Sequence, residues 1–333
     1  MEKGIGLITI LQTLATQSDK SHPITRADIM KRMEEDHDVT MERRTFYKAR
    51  CFLDCIGFSS QYDNSKKGYY LDPPLLERSE ELMLWNAIHS ARFLSKSETE
   101  RLFSKLMNIC SAHHYKEFQD EVYMPNPKKT TNNETLRNIE IAEQAIIHKT
   151  KMSFYYLHFN QDLDLVKKDD NIRIIEPRYI VYADARPYLI ATGRKGKYIT
   201  HYRLDKISNA CLLSEPSDPD FQMEDAYVYA NNKLFMFSGE MINATIRCEK
   251  RILDSMVDIF GTDLILFTPD PDHYEFTVTV NRNGILFLGQ QFLDVIEIKY
   301  PEDVRKELQR RLETAQETYN QKNLGQFAPS HNQ

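Results

Sequence analysis

The sequence predicts an α+β protein of several domains: three helices and a hairpin first, then a helical linker, a small β-barrel and a C-terminal α/β unit. Three observations carry that prediction. The chain has 333 residues, 41% of them hydrophobic, enough for two or three domains with real cores. Its apolar residues follow helical spacing up to about residue 148 and fall into short strand-like runs after it. Its last third reads β-α-β-β-α-β, the ferredoxin-like order.

Residues 4–16 place Leu7, Ile8, Leu11, Leu14 and Ala15 at helical spacing. Pro23 interrupts the chain, and Thr25 reads as an N-cap with Asp28 three residues on, close to a capping box. The helix it opens runs from Arg26 to about Glu35. A third helix spans Glu42 to Ile56, with Phe46, Ala49, Leu53 and Ile56 inward, and Gly57 stops it. Residues 58–62 and 69–71 flank a polar tip at 63–68 and read as a hairpin. Three helices and a hairpin within residues 1–74 make a winged helix-turn-helix, a DNA-binding module.

Residues 75–135 read as the linker. Two helices are expected over 78–118, one with Leu82, Leu84, Trp85, Ile88, Ala91 and Leu94, the other with Leu102, Phe103, Leu106, Met107 and Ile109. Such stripes serve either a dimer contact or packing within the chain. The stretch 124–135, rich in Pro, Asn, Thr and Lys, marks a loop. A helix at 136–148 then feeds strands at 151–159, 172–175, 179–182, 187–192 and 198–205, with a charged turn at 162–171. Strands so short and closely spaced suggest a small barrel over 136–215. In residues 240–320 the expected order is strand 244–248, helix 251–260 ending at Gly261, strand 264–267, turn 269–272, strand 274–280, helix 284–292 and strand 295–299. Pro301 then opens a long helix, and the polar tail 321–333 is expected to be disordered.

No apolar run approaches a membrane span, and the N-terminus lacks the basic region and cleavage site of a signal peptide, so a cytoplasmic protein is expected. Five cysteines (Cys51, Cys55, Cys110, Cys211, Cys248) at irregular spacing suggest small, partly buried thiols, not a disulfide framework. His113, His114 and His148 have no carboxylate or Cys partner at ligand spacing, and no P-loop, GxSxG or HExxH is present. Neither an enzyme nor a metal or other cofactor is expected.

The net charge is −6, but the basic residues are concentrated. Residues 41–70 hold six (Arg43, Arg44, Lys48, Arg50, Lys66, Lys67) against three acids. The inward stripe of the third helix turns Arg43, Arg44, Tyr47 and Lys48 outward, near the end that reaches base edges in helix-turn-helix proteins. Lys66 and Lys67 lie on the hairpin tip, placed for phosphate contacts. Arg50 reads as an internal partner or a DNA contact. Residues 173–206 hold eight basic residues against three acids, interleaved with Tyr179, Tyr182, Tyr188, Tyr198, His201 and Tyr202. Basic and aromatic groups on a small barrel can hold phosphates and stack bases. Tyr188 and Tyr202 could equally fill the interior.

The chain resembles the WYL-domain transcriptional regulators over nearly its whole length. The blocks that carry this are Arg43-Arg44-Thr45-Phe46-Tyr47-Lys48, Gly68-Tyr69-Tyr70-Leu71, Pro177-Arg178-Tyr179-Ile180-Val181-Tyr182, Pro187-Tyr188-Leu189-Ile190-Ala191 and Tyr202-Arg203-Leu204-Asp205-Lys206-Ile207. The family's Trp-Tyr-Leu triplet reads Pro187-Tyr188-Leu189 here. The resemblance implies an Sm-like or SH3-like barrel, a bacterial regulator, and a nucleotide or single-stranded nucleic-acid effector on the barrel. The expected ligand set is Tyr156, Arg178, Tyr188, Arg194, His201 and Arg203, with Asp205 orienting Arg203 or Lys206. The expected partners are double-stranded DNA and a second copy of the chain. A competing expectation is an accessory RNA- or single-strand-binding module of a defence or repair complex.

Overall fold

The computed structural model describes residues 2–121, 128–183, 185–193, 199–218, 234–236 and 239–320. The chain forms two compact units, residues 1–138 with 158–166, and residues 139–157 with 167–333. Among the described residues, no helix is long and apolar enough to cross a membrane.

In the first unit, α1 (Glu2–Gln17), α2 (Arg26–His37) and α3 (Arg43–Cys55) precede a hairpin of β1 (Ser60–Asp63) and β2 (Gly68–Leu71). Ile10, Leu14, Ile29, Met33, Phe46, Leu53, Tyr69 and Leu71 form their common core. Thr25 caps α2 as its sequence suggests, its Oγ1 accepting from the Asp28 amide at 3.2 Å. Ile56, expected to face inward, is exposed because α3 ends one residue before it. Gly68 permits the hairpin's seat: a Cβ there would stand 2.7 Å from the Pro23 carbonyl. That close approach lets Ile24 and Tyr69 exchange backbone hydrogen bonds of 2.9 and 2.7 Å, fastening β2 to the loop before α2.

The linker holds three helices where two stripes suggested two: α4 (Arg78–Ser90), α5 (Lys96–Leu106) and α6 (Ala112–Glu121). The additional helix is α6; the start of α5 is marked by a capping box of Ser95 and Glu98. Glu98 is buried, and its carboxylate accepts from the amides of Ser95 (3.0 Å) and Leu136 (2.9 Å). Trp85, Cys110 and Phe118 form a small core with Phe103 and Tyr115 against it. Part of the expected loop at 124–135 lies outside the described residues.

The second unit begins with α7 (Thr135–Ile147), whose Ala142 and Ala145 pack on a curled antiparallel sheet. Its strands are β3 (Thr150–Phe159), β4 (Leu165–Lys167), β5 (Arg173–Ala183), β6 (Arg186–Gly193), β7 (Ile199–Arg203) and β8 (Ile207–Pro216). The order is β4-β3-β5-β6-β7, with β8 also on β3. Among the described residues β7 pairs with β6 alone, so the sheet is open where a closed barrel was expected. The strands expected at 172–175 and 179–182 are one strand, β5, with a bulge between Pro177 and Tyr179. The expected turn at 162–171 contains β4, and β8 was unanticipated. Its Cys211, Leu212 and Ser214–Pro216 lie largely at the surface, so no clean alternation announces it.

The last part contains β9 (Met241–Glu249), α8 (Leu253–Phe260), β10 (Phe267–Asp270), β11 (His273–Asn281), α9 (Arg282–Gln291), β12 (Ile296–Tyr300) and α10 (Glu302–Asn320). The sheet order β10-β11-β9-β12 is wholly antiparallel. It is the pairing that a β-α-β-β-α-β unit adopts when its first and third strands lie in the middle. The strand expected at 264–267 falls instead at Phe267–Asp270, because Ile265 and Leu266 are exposed and the pairing with β11 starts at Phe267. Residues 321–333 lie outside the described residues. Cys110 and Cys248 are buried, but Cys51, Cys55 and Cys211 are exposed, contrary to the expectation of partly buried thiols. A four-residue step keeps Cys51 and Cys55 together on the outer face of α3.

Candidate nucleic-acid interfaces

The outer face of α3 carries Arg43, Arg44, Tyr47 and Lys48, all exposed. Phe46, fully buried, and Leu53 fix the helix rotation that turns them out. Tyr47 is held in place. Its hydroxyl accepts from that of Tyr69 at 3.5 Å, and the Arg43 guanidinium stands 5.8 Å from its ring centroid. These two contacts lower the Tyr47 phenol from its ordinary value, while burial raises that of Tyr69. Arg50 points elsewhere, its guanidinium 4.8 Å above the Tyr69 ring. It is half-buried and stacks on the hairpin, unlike the exposed Arg43, Arg44 and Lys48.

The hairpin tip is built on Asp63. Its Oδ1 accepts from the amides of Ser65 (2.7 Å) and Lys66 (2.9 Å) and from the Ser65 hydroxyl (2.6 Å). Lys67 takes the left-handed conformation (φ 55°) and is exposed. Lys66 is exposed too, but its Nζ donates to the Ser21 carbonyl at 2.6 Å. The tip therefore presents Lys67 outright and Lys66 partly engaged with the loop after α1.

The histidines of the linker have partners that spacing alone does not reveal. His114 Nδ1 lies 2.7 Å from Glu81, and its Nε2 3.7 Å from Asp19. His113 stacks on His22 with ring centroids 4.2 Å apart. Glu81 also accepts from the Ser111 amide at 2.8 Å, and burial pushes its carboxyl up. Among the described residues, no group of three or more His, Cys, Asp or Glu is arranged to hold a metal.

In the second unit the expected ligand residues separate into two places. Cα partners across antiparallel strands point to the same face. Tyr188 pairs with Arg203 and Val181, and Ile190 with His201 and Tyr179, so Tyr188, His201 and Arg203 share one face of β6 and β7. Tyr156 joins them from the opposite side. Its ring lies with Tyr202 in the core against α7, and its hydroxyl accepts from the Arg203 amide at 3.4 Å. Burial raises its phenol. Asp205, buried, accepts from Arg203 Nε (3.0 Å) and Nη2 (2.6 Å), a two-pronged bond that fixes the guanidinium. Asp205 thus orients Arg203, as its sequence position suggests.

Arg178 lies at the other end. Its Nη2 donates to Glu176 at 2.8 Å and to Thr192 Oγ1 at 3.4 Å. Thr192 is four residues along β6 from Tyr188, about 13 Å at the rise of a strand. Glu176 is buried and also lies 3.6 Å from Lys151, which bonds Glu215 at 2.6 Å. Arg178 therefore belongs to an internal ion network and is not brought together with Arg203. Arg194 lies outside the described residues. The residue whose contact the sequence did not disclose is Met236, whose carbonyl oxygen lies 2.7 Å from His201 Nδ1. No periodicity flags it, because the contact is irregular and 35 residues away.

Residues 137–212 match the family model of the WYL domain. Among solved structures, the chain is similar to proteasome accessory factor B/C (PafBC) of Arthrobacter aurescens, at 16% identity over 96% of this chain and 48% of that one, with a TM-score of 0.26. It is also similar to a CRISPR Cas-related protein, at 13% identity over 96% of this chain and 84% of that one, with a TM-score of 0.37. The chain thus spans about half the length of the first of these. No curated protein matches it.

Proposed function

We propose that this chain, which carries a WYL domain over residues 137–212, is a homodimeric DNA-binding transcription regulator that senses a nucleotide or single-stranded nucleic acid. It binds and does not catalyse. The observation that carries the reading is the face of α3. Arg43, Arg44, Tyr47 and Lys48 stand outward together on a helix whose opposite side is locked into a core, beside a hairpin tipped by Lys67. Three helices and that hairpin are read as a winged helix-turn-helix, with α3 in the major groove and the hairpin on the backbone. Two copies of the chain would meet two half-sites of an operator.

The effector is assigned to the face bearing Tyr188, His201 and Arg203. Arg203 is aimed by Asp205 and suits a phosphate, and Tyr188 suits a base. An effector can shift DNA binding only as far as it prefers one arrangement of the chain over another. The C-terminal β-α-β-β-α-β unit is read as the extension that completes this half.

The test is fluorescence anisotropy with a duplex from upstream of the protein's own gene, a scrambled duplex as control, and the Arg43→Ala/Arg44→Ala variant. Selective binding that the double variant loses is expected. Equal, weak binding to both duplexes, unchanged in the variant, would favour an accessory single-strand-binding module instead.

A further inference from the structure

The face assigned to the effector already holds a group. Leu234, Phe235 and Met236 form one tight turn laid on the second unit. The Met236 side chain is buried and makes a cluster with Ile190, against which Tyr179, Val181, Tyr188 and Ile199 pack. Its carbonyl oxygen meets His201 Nδ1 at 2.7 Å. A carbonyl only accepts, so Nδ1 carries the proton and His201 is the donor.

The turn is anchored at its other end on the C-terminal unit. The Leu234 amide donates to Asn281 Oδ1 at 2.7 Å, and Asn281 Nδ2 donates to the Leu234 carbonyl at 3.3 Å. Gly284 leaves room for it, since a Cβ there would come within 2.6 Å of Leu234 Cβ. Phe235 meets Phe287 edge to face at 4.8 Å. The turn is held against its own backbone preference, for Phe235 and Met236 both take positive φ (55° and 51°), which costs side-chain-bearing residues on the order of 1 kcal/mol or more each.

We infer that residues 234–236 are a built-in competitor for the effector, with the Met236 carbonyl on His201 and its side chain beside Tyr188 and Ile190 standing where a ligand's acceptor and flat body bind. The inference rests on the functional reading above and deepens it. His201 becomes the donor that recognises an acceptor on a base, Tyr188 and Ile190 the surface for the base, and Arg203 the group for its phosphate. A segment strained in place and joined to both the sheet and the C-terminal unit is released when that face is filled. Its release breaks the contacts of Asn281 with Leu234 and of Phe287 with Phe235, and so carries occupancy of the sheet into the extension.

The experiment measures binding of a fluorescein-labelled single-stranded dT12 to the full chain and to its Met236→Ala and Arg203→Ala variants. In parallel, amide exchange of the peptide containing 234–236 is followed in the wild type with and without saturating dT12. A strap that covers the face nine-tenths of the time weakens apparent affinity about tenfold. Met236→Ala should therefore bind about tenfold tighter than wild type, and Arg203→Ala should lose binding. In the wild type, dT12 should speed exchange at 234–236, a readout that does not require the variant to fold. If the wild type binds dT12 but Met236→Ala binds no tighter and exchange at 234–236 is unchanged, the competitor is overturned while the effector face stands. If neither wild type nor Met236→Ala binds and Arg203→Ala is indistinguishable from them, the nucleic-acid assignment of this face falls, and the competitor with it.

Discussion

Removing Arg43, Arg44 and Lys48 together tests the assignment of α3 with a number. All three are exposed on a helix whose Phe46 and Leu53 are buried. If each neutralises one phosphate or lies in the groove as a free cation, each adds about 0.9 to the slope of log affinity against log salt. The triple alanine variant should then have a slope smaller by about 2.7. Between about 50 and about 200 mM salt, wild-type affinity for duplex DNA should fall about 40-fold more than that of the variant. Arg50→Ala is the internal control. Its guanidinium stacks on Tyr69 inside the same module. Its loss should leave the slope unchanged and lower stability by about 1 kcal/mol, the usual worth of a partly buried cation–π contact. The assay is anisotropy across a salt series, with urea unfolding of each variant alongside. A triple variant with the wild-type slope, or an Arg50→Ala variant whose slope falls by about 1 with stability intact, would refute the geometry that leaves Arg43, Arg44 and Lys48 exposed and stacks Arg50 on Tyr69.

Glu98→Ala should destabilise the linker by about 3 kcal/mol, since the amides of Ser95 and Leu136 lose their buried acceptor; a urea midpoint within error of wild type would refute this. Gly68→Ala should cost about 2–3 kcal/mol, because its Cβ meets rigid backbone at Pro23, and amide exchange at Tyr69 should rise as the bridge to Ile24 loosens. Asp270 is held down to about 2 by the hydrogen bond from His273, with Arg247 adding to it. Its folded value lies below its ordinary 3.8, so its contribution is present above pH 3.8 and disappears as pH falls towards about 2. Asp270→Asn should therefore flatten the loss of melting temperature over that interval, and parallel curves for the two proteins would count against it.

Local signals were legible wherever one residue type has one physical use. Thr25 with Asp28, Phe46 with Leu53, and Gly57 and Gly261 after α3 and α8 each told their place from spacing alone. The order of the last third is legible because β9 and β12 alternate between a buried and an open face, as in Ala244, Ile246 and Cys248, whereas β10, exposed almost throughout, is displaced from its expected place. Errors arose where a tertiary contact overrode period. The linker's second stripe, Leu102 to Ile109, does not separate α5 from α6, and β8 is hidden by its exposed end. The pairing that merges two strand candidates into β5 rests on a bulge, which places Arg178 off the register of the flanking motif.

That bulge also shows what a count of charges leaves out. Eight basic residues in residues 173–206 suggested a positive surface, but a guanidinium acts on a ligand only if its own chain has not already claimed it. Glu176, buried, takes Arg178 and draws in Lys151, so this end of the sheet is neutralised from within. Asp205 takes Arg203 differently. It grips Nε and Nη2 side by side and leaves the guanidinium half-buried beside Tyr188, on the face that holds His201. Both carboxylates stand two residues from their arginine, but Glu176 precedes Arg178 whereas Asp205 follows Arg203. At the bulge, Arg178 bonds Glu176 of its own strand and Thr192 of the neighbouring β6. At the end of β7, the following turn brings Asp205 behind the guanidinium and directs it along the sheet. A carboxylate two residues away therefore builds an internal ion network at one end and, at the other, fixes the guanidinium that the proposed function assigns to a phosphate. Asp205→Asn should accordingly weaken binding of single-stranded dT12 through Arg203, whereas Glu176→Gln should lower stability and leave that binding as it was.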